Sequence, residues 1–437
     1  MLRLTLLMVA LWLPTVFMDS GEASGFIFWR HQLTMLTGFI SLGYMCIAVL
    51  LIARFRWVEE WVNGLDKGYA LHKQLGIGAV VALVAHWLVI KSAKLLIMLN
   101  LLSRPDRPRI AVEGINWPSL AEQVGEFAFY GLLIFSVISL AQVISYSKFK
   151  YTHKIGGVLL IASVFHAVFL LDWNLFSLTM NSAIIGLSVV GVGCSILSIV
   201  GVIGKENKVE GKVIAVEHFT DVTNESTVLR VSIQLESAIR YQEGQFAYLS
   251  FHDGEPPHPF SILNYDADNQ VVEFGIKALG DYTNRLVNQV DVGLAVSVEG
   301  GYGRFQISNF KQQVWIGAGI GIVPFISRLY WLKYQAQSRH SLLENIHLFY
   351  CVSTQNQAHF SREIIRLLEG MDFITLHIVD TEHAERLNAE MVLQTIKHTD
   401  VDVSFCGPER FAQSLQCDLM RQGLPRQRFH RENFKMR

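Results

Sequence analysis

Residues 71–86 read LHKQLGIGAVVALVAH. His72 and His86 bracket thirteen residues that are mostly Gly, Ala, Val, Leu and Ile. That filling suits a lipid bilayer, where ionisable side chains are costly and turn toward a protein interior. Fourteen residues at ~1.5 Å rise set the two imidazoles ~21 Å apart, and at ~100° per residue they fall ~40° apart, on one helix face. A second stretch, HKIGGVLLIASVFH at 153–166, places His153 and His166 in a similar way. Each helix then offers one imidazole toward each side of a ~30 Å hydrocarbon core. Pairing His72 with His153 and His86 with His166 makes two sets of axial ligands for haem iron. For any one of them alone, a hydrogen-bonded histidine without a metal is the plainer reading. The thirteen-residue spacing turns a regular helix by ~140° away from one face, so this second helix is expected either to be distorted, by a π-bulge or at the Gly156–Gly157 pair, or to present its ligands from different sides.

Working outward, apolar runs cover roughly 4–18, 33–53, 74–90, 127–147, 155–171 and 183–203, giving six candidate spans. The first is short and follows Arg3; we read it as a retained helix, with a secretory signal as the alternative. Of 75 charged side chains, 24 lie in residues 1–203 and 51 in residues 204–437, so the first half reads as membrane and the second as soluble. Arg54, Arg56, Lys67, Lys73, Lys148, Lys150, Lys154, Lys205 and Lys208 fall in loops expected to be cytoplasmic. The loop between spans three and four carries Arg104, Arg107 and Arg109 on the expected outer side, against that rule. It could draw anionic chelates or be a solvated or headgroup-bound loop. A net charge of -1 gives no nucleic-acid footprint. The five cysteines form no CxxC pair, which indicates neither an iron–sulfur cluster nor a disulfide framework.

From Val209 to Ile307 the pattern alternates in short runs, such as TVLRVSIQL and GQFAYLSF, as an antiparallel barrel requires. In QQVWIGAGIGIVPF a buried strand then runs into Gly317, Gly319 and Gly321, and Pro324 opens a helix. Glycines at that place let a backbone approach a pyrophosphate, although a tight strand–helix turn has the same composition. Later strands alternate with helices, as in a parallel α/β sheet. The fold class read here is a multi-domain membrane protein: an all-α six-helix transmembrane haem bundle over 1–208, an antiparallel β-barrel over 209–308, and an α/β nucleotide-binding domain with parallel sheet over 309–437.

HPFSI (258–262), GIKALGDYTNRL (275–286), GAGIGIVPF (317–325), CGPERF (406–411) and FHRENF (429–434) occur in that order. Together with the two histidine pairs, this chain resembles the ferric reductase and NADPH oxidase family, in which a six-helix di-haem domain is joined to a ferredoxin-reductase-type flavin and nicotinamide module. The resemblance implies that His72, His86, His153 and His166 ligate two b-type haems. It implies that His258, Pro259, Phe260, Ser261 and Ile262 run along FAD, with Lys277, Gly280 and Thr283 in the segment that wraps its pyrophosphate. Gly317, Gly319, Gly321 and Pro324 match the NAD(P)H phosphate loop, and Cys406, Gly407 and Pro408 the nicotinamide side. Ser261, Cys406, Glu432 and Phe434 are then the residues nearest the reaction, Phe434 as the aromatic that covers the flavin. Two features depart from the pattern: Ser353, Thr354 and Gln355 stand where many NADPH-using relatives have an arginine, and Lys435, Met436 and Arg437 follow Phe434. The first leads us to expect NADH to serve at least as well as NADPH.

The resemblance implies a multi-pass protein of a bacterial inner membrane with its flavin and nicotinamide domains cytoplasmic. Electrons would pass from NADH or NADPH through FAD and two haems to an acceptor on the other side of the lipid bilayer. Ferric chelate is the expected acceptor, with O2 and superoxide production as the alternative and a periplasmic partner as a third. Two other readings differ in kind: a haem-free anchor carrying a cytoplasmic flavin reductase, and a membrane protein whose cofactors only sense redox state.

Overall fold

The computed structural model describes residues 1–18, 25–103, 114–141, 146–220, 227–335, 343–383, 385–396 and 400–432. The chain divides into two compact units, Met1–Val62 with Lys67–Ile203, and Asn63–Asp66 with Gly204–Arg437.

The first unit is helical: α1 (Leu2–Met18), α2 (Phe26–Leu51), α3 (Arg56–Val62), α4 (Leu65–Met98), α5 (Trp117–Ala141), α6 (Tyr146–His153), α7 (Ile155–Phe169) and α8 (Leu178–Val200). In lipid every backbone N–H and C=O must find its partner within the segment, so apolar runs of this length form helices. Five stretches among the described residues are long and apolar enough to cross a membrane: α2, α4, α5, the α6–α7 stretch Lys148–Phe169, and Leu175–Val200 around α8. α1 is shorter and contains Pro14. It is nonetheless built into the bundle: Met8 and Trp12 pack with Phe39 and Leu42 of α2 and Met180 and Ile184 of α8, and Thr15 Oγ1 donates to Gln32 Oε1 at 2.8 Å.

The helices overrun the apolar runs. α4 has 34 residues against the seventeen expected at 74–90, because the polar stretch from Leu65 to Gln74 contains no proline and propagates the helix. At ~1.5 Å per residue its length of ~51 Å exceeds the hydrocarbon core. The distortion expected in the second histidine helix is present, but it is a break at Lys154, just before the glycine pair, and not a π-bulge. There the ladder tightens to i→i+3 bonds, Lys154 N–H to Tyr151 O at 3.3 Å and Gly157 N–H to Lys154 O at 3.0 Å.

In the second unit β1 (Lys208–Thr220), β2 (Thr227–Leu235), β3 (Phe246–Ser250), β4 (His258–Asp266), β5 (Val271–Lys277) and β6 (Ala295–Tyr302) form a closed antiparallel barrel in the order β1-β2-β5-β4-β3-β6. The alternation of β2 turns Leu229, Val231, Ile233 and Leu235 into the barrel core, and α9 (Asp281–Gln289) follows β5. The parallel sheet comprises β7 (Gln312–Ala318), β8 (Asn345–Val352), β9 (Ile374–Asp380), β10 (Asp402–Cys406) and β11 (Phe429–Arg431), in the order β11-β10-β7-β8-β9. Its helices are α10 (Val323–Tyr334), α11 (Ser361–Leu368), α12 (Ala389–Ile396) and α13 (Glu409–Arg421). Each face of the sheet has its own core, Trp315, Ile346 and Leu348 on one side and Val314, Ile316 and Val403 on the other, as a parallel sheet covered on both faces requires.

Barrel and sheet are clamped together. Arg230 of β2 donates to Glu273 at 2.6 Å and to Glu363 of α11 at 3.1 Å, and Tyr330 of α10 donates to the same Glu363 at 2.5 Å. Ser327 of α10 is hydrogen-bonded to Tyr241 and accepts the Gly244 N–H at 3.2 Å. These bonds hold the N-terminal half of α10, with the glycine loop before it, against the barrel.

Candidate functional site

In the helical unit the four histidines converge in two pairs. The ring centres of His72 and His153 are 5.9 Å apart, and those of His86 and His166 6.3 Å. Two imidazoles holding one metal at about 2 Å from each nitrogen set their ring centres roughly 6 Å apart. Both separations therefore leave room for one iron between the rings. Three rings are oriented by backbone: His72 Nδ1 bonds Ala48 O at 2.8 Å, His86 Nδ1 bonds Thr34 O at 2.9 Å, and His166 Nδ1 bonds Ala121 O at 2.8 Å. His153 Nδ1 is 3.4 Å from Ser139 Oγ, and Phe135 and Phe149 flank its ring. Fixing Nδ1 in this way frees Nε2 as the ligand nitrogen, the usual support of a metal-bound histidine. A Cβ added at Gly125 of α5 would come within 2.1 Å of His166 Nδ1, and one at Gly38 within 3.1 Å of the His86 ring. Glycines thus let the neighbouring helices close on both imidazoles of that pair. The residues fit two bis-histidine haems.

The remaining predicted residues that the structure describes lie in the second unit. Ser261 is nearly buried on β4, paired in register with Phe246 of β3. Ile262 is wholly buried, while His258, Pro259 and Phe260 are half-buried along the same strand. The His258 ring lies flat on Tyr282 of α9, with centres 3.9 Å apart and planes 13° apart. Thr283 Oγ1 accepts the N–H groups of Leu279 and Gly280 at 2.9 and 3.1 Å, shaping the turn before α9. Gly317, next to last in β7, is in register with Cys406. Gly319 has φ +59 with open space where a side chain would be, and a Cβ at Gly321 would lie 2.3 Å from Cys406 O. The first needs the left-handed region that glycine tolerates, and the second needs the close approach. Pro324 sits at the start of α10. Lys277 ends β5 and lines a small cleft with Gly319, Ile320, Tyr350 and Gln357. Lys277 thus shares this cleft with the glycine loop, and burial lowers its pKa.

Cys406 ends β10 fully buried, Gly407 follows it, and Pro408 caps α13. Glu432 follows β11, also buried, and neither of its carboxyl oxygens has a hydrogen bond among the described residues. Burial pushes both pKa values well above their ordinary ranges, and the nearby Glu432 raises Cys406 further. Both shifts favour the protonated, uncharged forms of the thiol and the carboxyl. The structure thus joins Cys406 and Glu432, 26 residues apart, at one end of the sheet. Phe434 lies outside the described residues, as do Arg104, Arg107 and Arg109.

The comparisons with known proteins agree with this layout. A family model described as ferric reductase like transmembrane component matches residues 37–164, and one described as FAD-binding domain matches residues 213–309. The chain belongs to the ferric reductase and NADPH oxidase family. Among curated relatives, dual oxidase 2 of Rattus norvegicus is 26% identical over 265 residues, covering 56% of this chain and 16% of that protein. The superoxide-generating NADPH oxidase heavy chain of Dictyostelium discoideum is 22% identical over 213 residues, covering 43% and 41%. Ferric reduction oxidase 5 of Arabidopsis thaliana is 32% identical over 95 residues, covering 20% and 13%. The matched stretch spans less than half the length of each of these relatives.

Two polar residues stand out in this chain that reading the sequence missed. Arg30 lies one turn before Thr34, the carbonyl partner of His86; its Nη2 donates to Ile90 O at 3.2 Å, and its buried Nε has no hydrogen-bond partner. An arginine at the edge of an apolar run was the available signal. Arg328 of α10 is wholly buried; its Nη2 donates to Phe305 O and Gln306 O at 2.9 and 3.0 Å, and its guanidinium lies over the Phe305, Phe325 and Trp315 rings. Burial lowers its pKa to about 10, opposed by Glu243 and Glu432, so it stays a cation. A basic residue in an amphipathic helix reads as solvent-facing, and nothing in the local sequence marked it otherwise.

Proposed function

We propose that the chain is an NAD(P)H-dependent transmembrane oxidoreductase that passes electrons through FAD and two b-type haems to an acceptor across the membrane. The observation that carries this reading is the pair of imidazole couples 5.9 and 6.3 Å apart, with Nδ1 of His72, His86 and His166 held by backbone carbonyls. Bound FAD supplies the step from two-electron hydride chemistry to single electrons, and bis-histidine haem supplies one-electron carriage.

The protein's own part is to bind, orient and exclude water. His72 and His153 hold one haem, His86 and His166 the other. Two imidazole ligands to each haem would keep the acceptor from binding iron directly. In the barrel domain, over 209–308, His258 to Ile262 hold FAD along β4, and the Ser261 hydroxyl offers a hydrogen bond to the ring edge. Lys277, Gly280 and Thr283 serve its pyrophosphate; Lys277, beside the glycine loop, can also serve the phosphates of the second nucleotide. In the domain over 309–437, Gly317, Gly319, Gly321 and Pro324 hold the NAD(P)H pyrophosphate at the start of α10. Cys406, Gly407 and Pro408 receive the nicotinamide as a neutral, dry surface, and Glu432 keeps a proton on its carboxyl beside it. Phe434 is assigned as the aromatic that covers the flavin. The helical domain takes 1–208, with the flavin and nicotinamide domains on the cytoplasmic side of a bacterial inner membrane.

Ferric chelate is the acceptor we favour. Superoxide production from O2 is the second reading, supported by the similarity to a superoxide-generating oxidase. Replacing His86 tests the relay. His86→Ala should bind about half the haem per protein, as read by the pyridine haemochrome, retain its flavin, and lose ferric citrate reduction. Undiminished ferric reduction in a protein that shows no haem would support the haem-free anchor instead.

A further inference from the structure

In a parallel α/β sheet, ligands lie along the C-terminal strand ends. Here those ends read, in spatial order, Cys406–Gly407 after β10, Gly317–Gly321 after β7, residues 353–357 after β8 and residues 380–383 after β9. A dinucleotide with nicotinamide at Cys406 and pyrophosphate at the glycine loop therefore directs its adenosine ribose toward the ends of β8 and β9. Neighbouring strands lie about 4.8 Å apart, so the end of β9 is about 10 Å from that of β7, within the span of one nucleoside.

Asp380 ties these two ends together. Its Oδ2 accepts the Gln355 N–H at 3.1 Å and lies 2.8 Å from His383 Nδ1, and its Oδ1 accepts the Glu382 N–H at 2.9 Å. The side chain is only 13% exposed. Oδ1 retains a lone pair for one further donor. These hydrogen bonds hold the carboxylate below its ordinary pKa, the Glu382 N–H contributing most. Its charge is joined by Glu382 and partly offset by His383. Residues 353–357 (STQNQ) and 380–383 (DTEH) contain no lysine or arginine, and the next described cation in the chain is Arg386. Thr354 Oγ1, also at this edge, is buried without a hydrogen-bond partner among the described residues.

We propose that Asp380 selects NADH over NADPH, its fixed carboxylate accepting a hydrogen bond from the adenosine ribose 2′-hydroxyl and repelling a phosphate at that position. The inference rests on the reading of the glycine loop as the NAD(P)H site. It goes beyond the missing arginine after β8, because it assigns an active repulsion to a named group on the next strand. A 2′-phosphate there meets a fixed carboxylate and no lysine or arginine from either strand end.

The test uses the full-length, FAD-loaded protein in detergent. Anaerobic flavin reduction is followed by stopped flow with NADH and NADPH, and 5′-AMP and 2′-phospho-AMP are titrated as nucleotide probes. The wild type should show at least tenfold higher kcat/KM for NADH and bind 5′-AMP more tightly than 2′-phospho-AMP. Asp380→Asn, which keeps an acceptor for Gln355 but loses the charge, should cut the NADH preference at least fivefold, mainly by gain with NADPH. The nucleotide titration of the wild type needs no variant, so a poorly folded Asp380→Asn leaves the idea testable. Equal or better use of NADPH by the wild type, or an unchanged preference in a folded variant, overturns the assignment of Asp380 and leaves the glycine-loop reading intact. If neither nucleotide reduces the flavin and neither probe binds, the glycine-loop reading fails, and the inference with it.

Discussion

Glu432 shows what a single residue costs at this site. Its carboxyl is buried, without a hydrogen bond, and its pKa in the folded chain is raised by that burial, with Arg328 opposing. A carboxyl shifted in this direction binds its proton more tightly when folded. Its demand on stability is absent below the unfolded pKa of about 4 and grows as the pH rises from there toward the folded value. Glu432→Gln keeps the shape and removes the titration. The variant should unfold at about 2–4 °C higher temperature than the wild type at pH 8, and at nearly the same temperature at pH 4.5. Flavin release on heating reads this out; a gap that does not change with pH would show that Glu432 is not held neutral by burial. The residue was found by its place in FHRENF, but its isolation was not legible. It depends on Gly303 and Arg328, more than 100 residues upstream, coming to surround the chain end.

At the scale of elements, the histidine pairing was legible because lipid leaves few structures available. Apolar runs must be helices, and a spacing of fourteen fixes both imidazoles of α4 on one face. The spacing of thirteen was legible only as a conflict, and the chain resolves it by breaking the helix at Lys154. The close approach of α5 to α7 was not legible, since no local pattern sets which helices touch. Gly125 is its sharpest consequence. Gly125→Ala forces a Cβ to within 2.1 Å of His166 Nδ1, closer than real contacts allow, so the imidazole must leave its bond to Ala121 O. Gly125→Ala should lose most of one haem per protein, with the flavin content unchanged. Gly186→Ala, where an added Cβ meets nothing within 4 Å, should keep the wild-type haem spectrum. Equal haem content in the two variants would contradict the pairing of His86 with His166 described above. Asp380 belongs to this scale too: its bond to Gln355 follows from β8 and β9 lying side by side in parallel, which strand order decides and local sequence does not.

For the whole molecule, the two units carry different halves of one proposed circuit, and each half has its own physical signature. The helical unit supplies four paired imidazoles; the second unit supplies a barrel, a glycine loop and a buried end of the sheet. The order of these modules along the chain was legible from charge distribution and motif order, whereas the acceptor was not, because the basic loop that bears on it lies outside the described residues. The direct test of the circuit is an anaerobic absorbance spectrum of membranes containing the full-length protein, taken before and after NADH. The proposed relay predicts sharp b-type haem bands within seconds, at the intensity reached with dithionite, and their loss on admitting ferric citrate. Haem bands that appear with dithionite but with neither NADH nor NADPH would contradict it, since nicotinamide, flavin and haem would then not be joined.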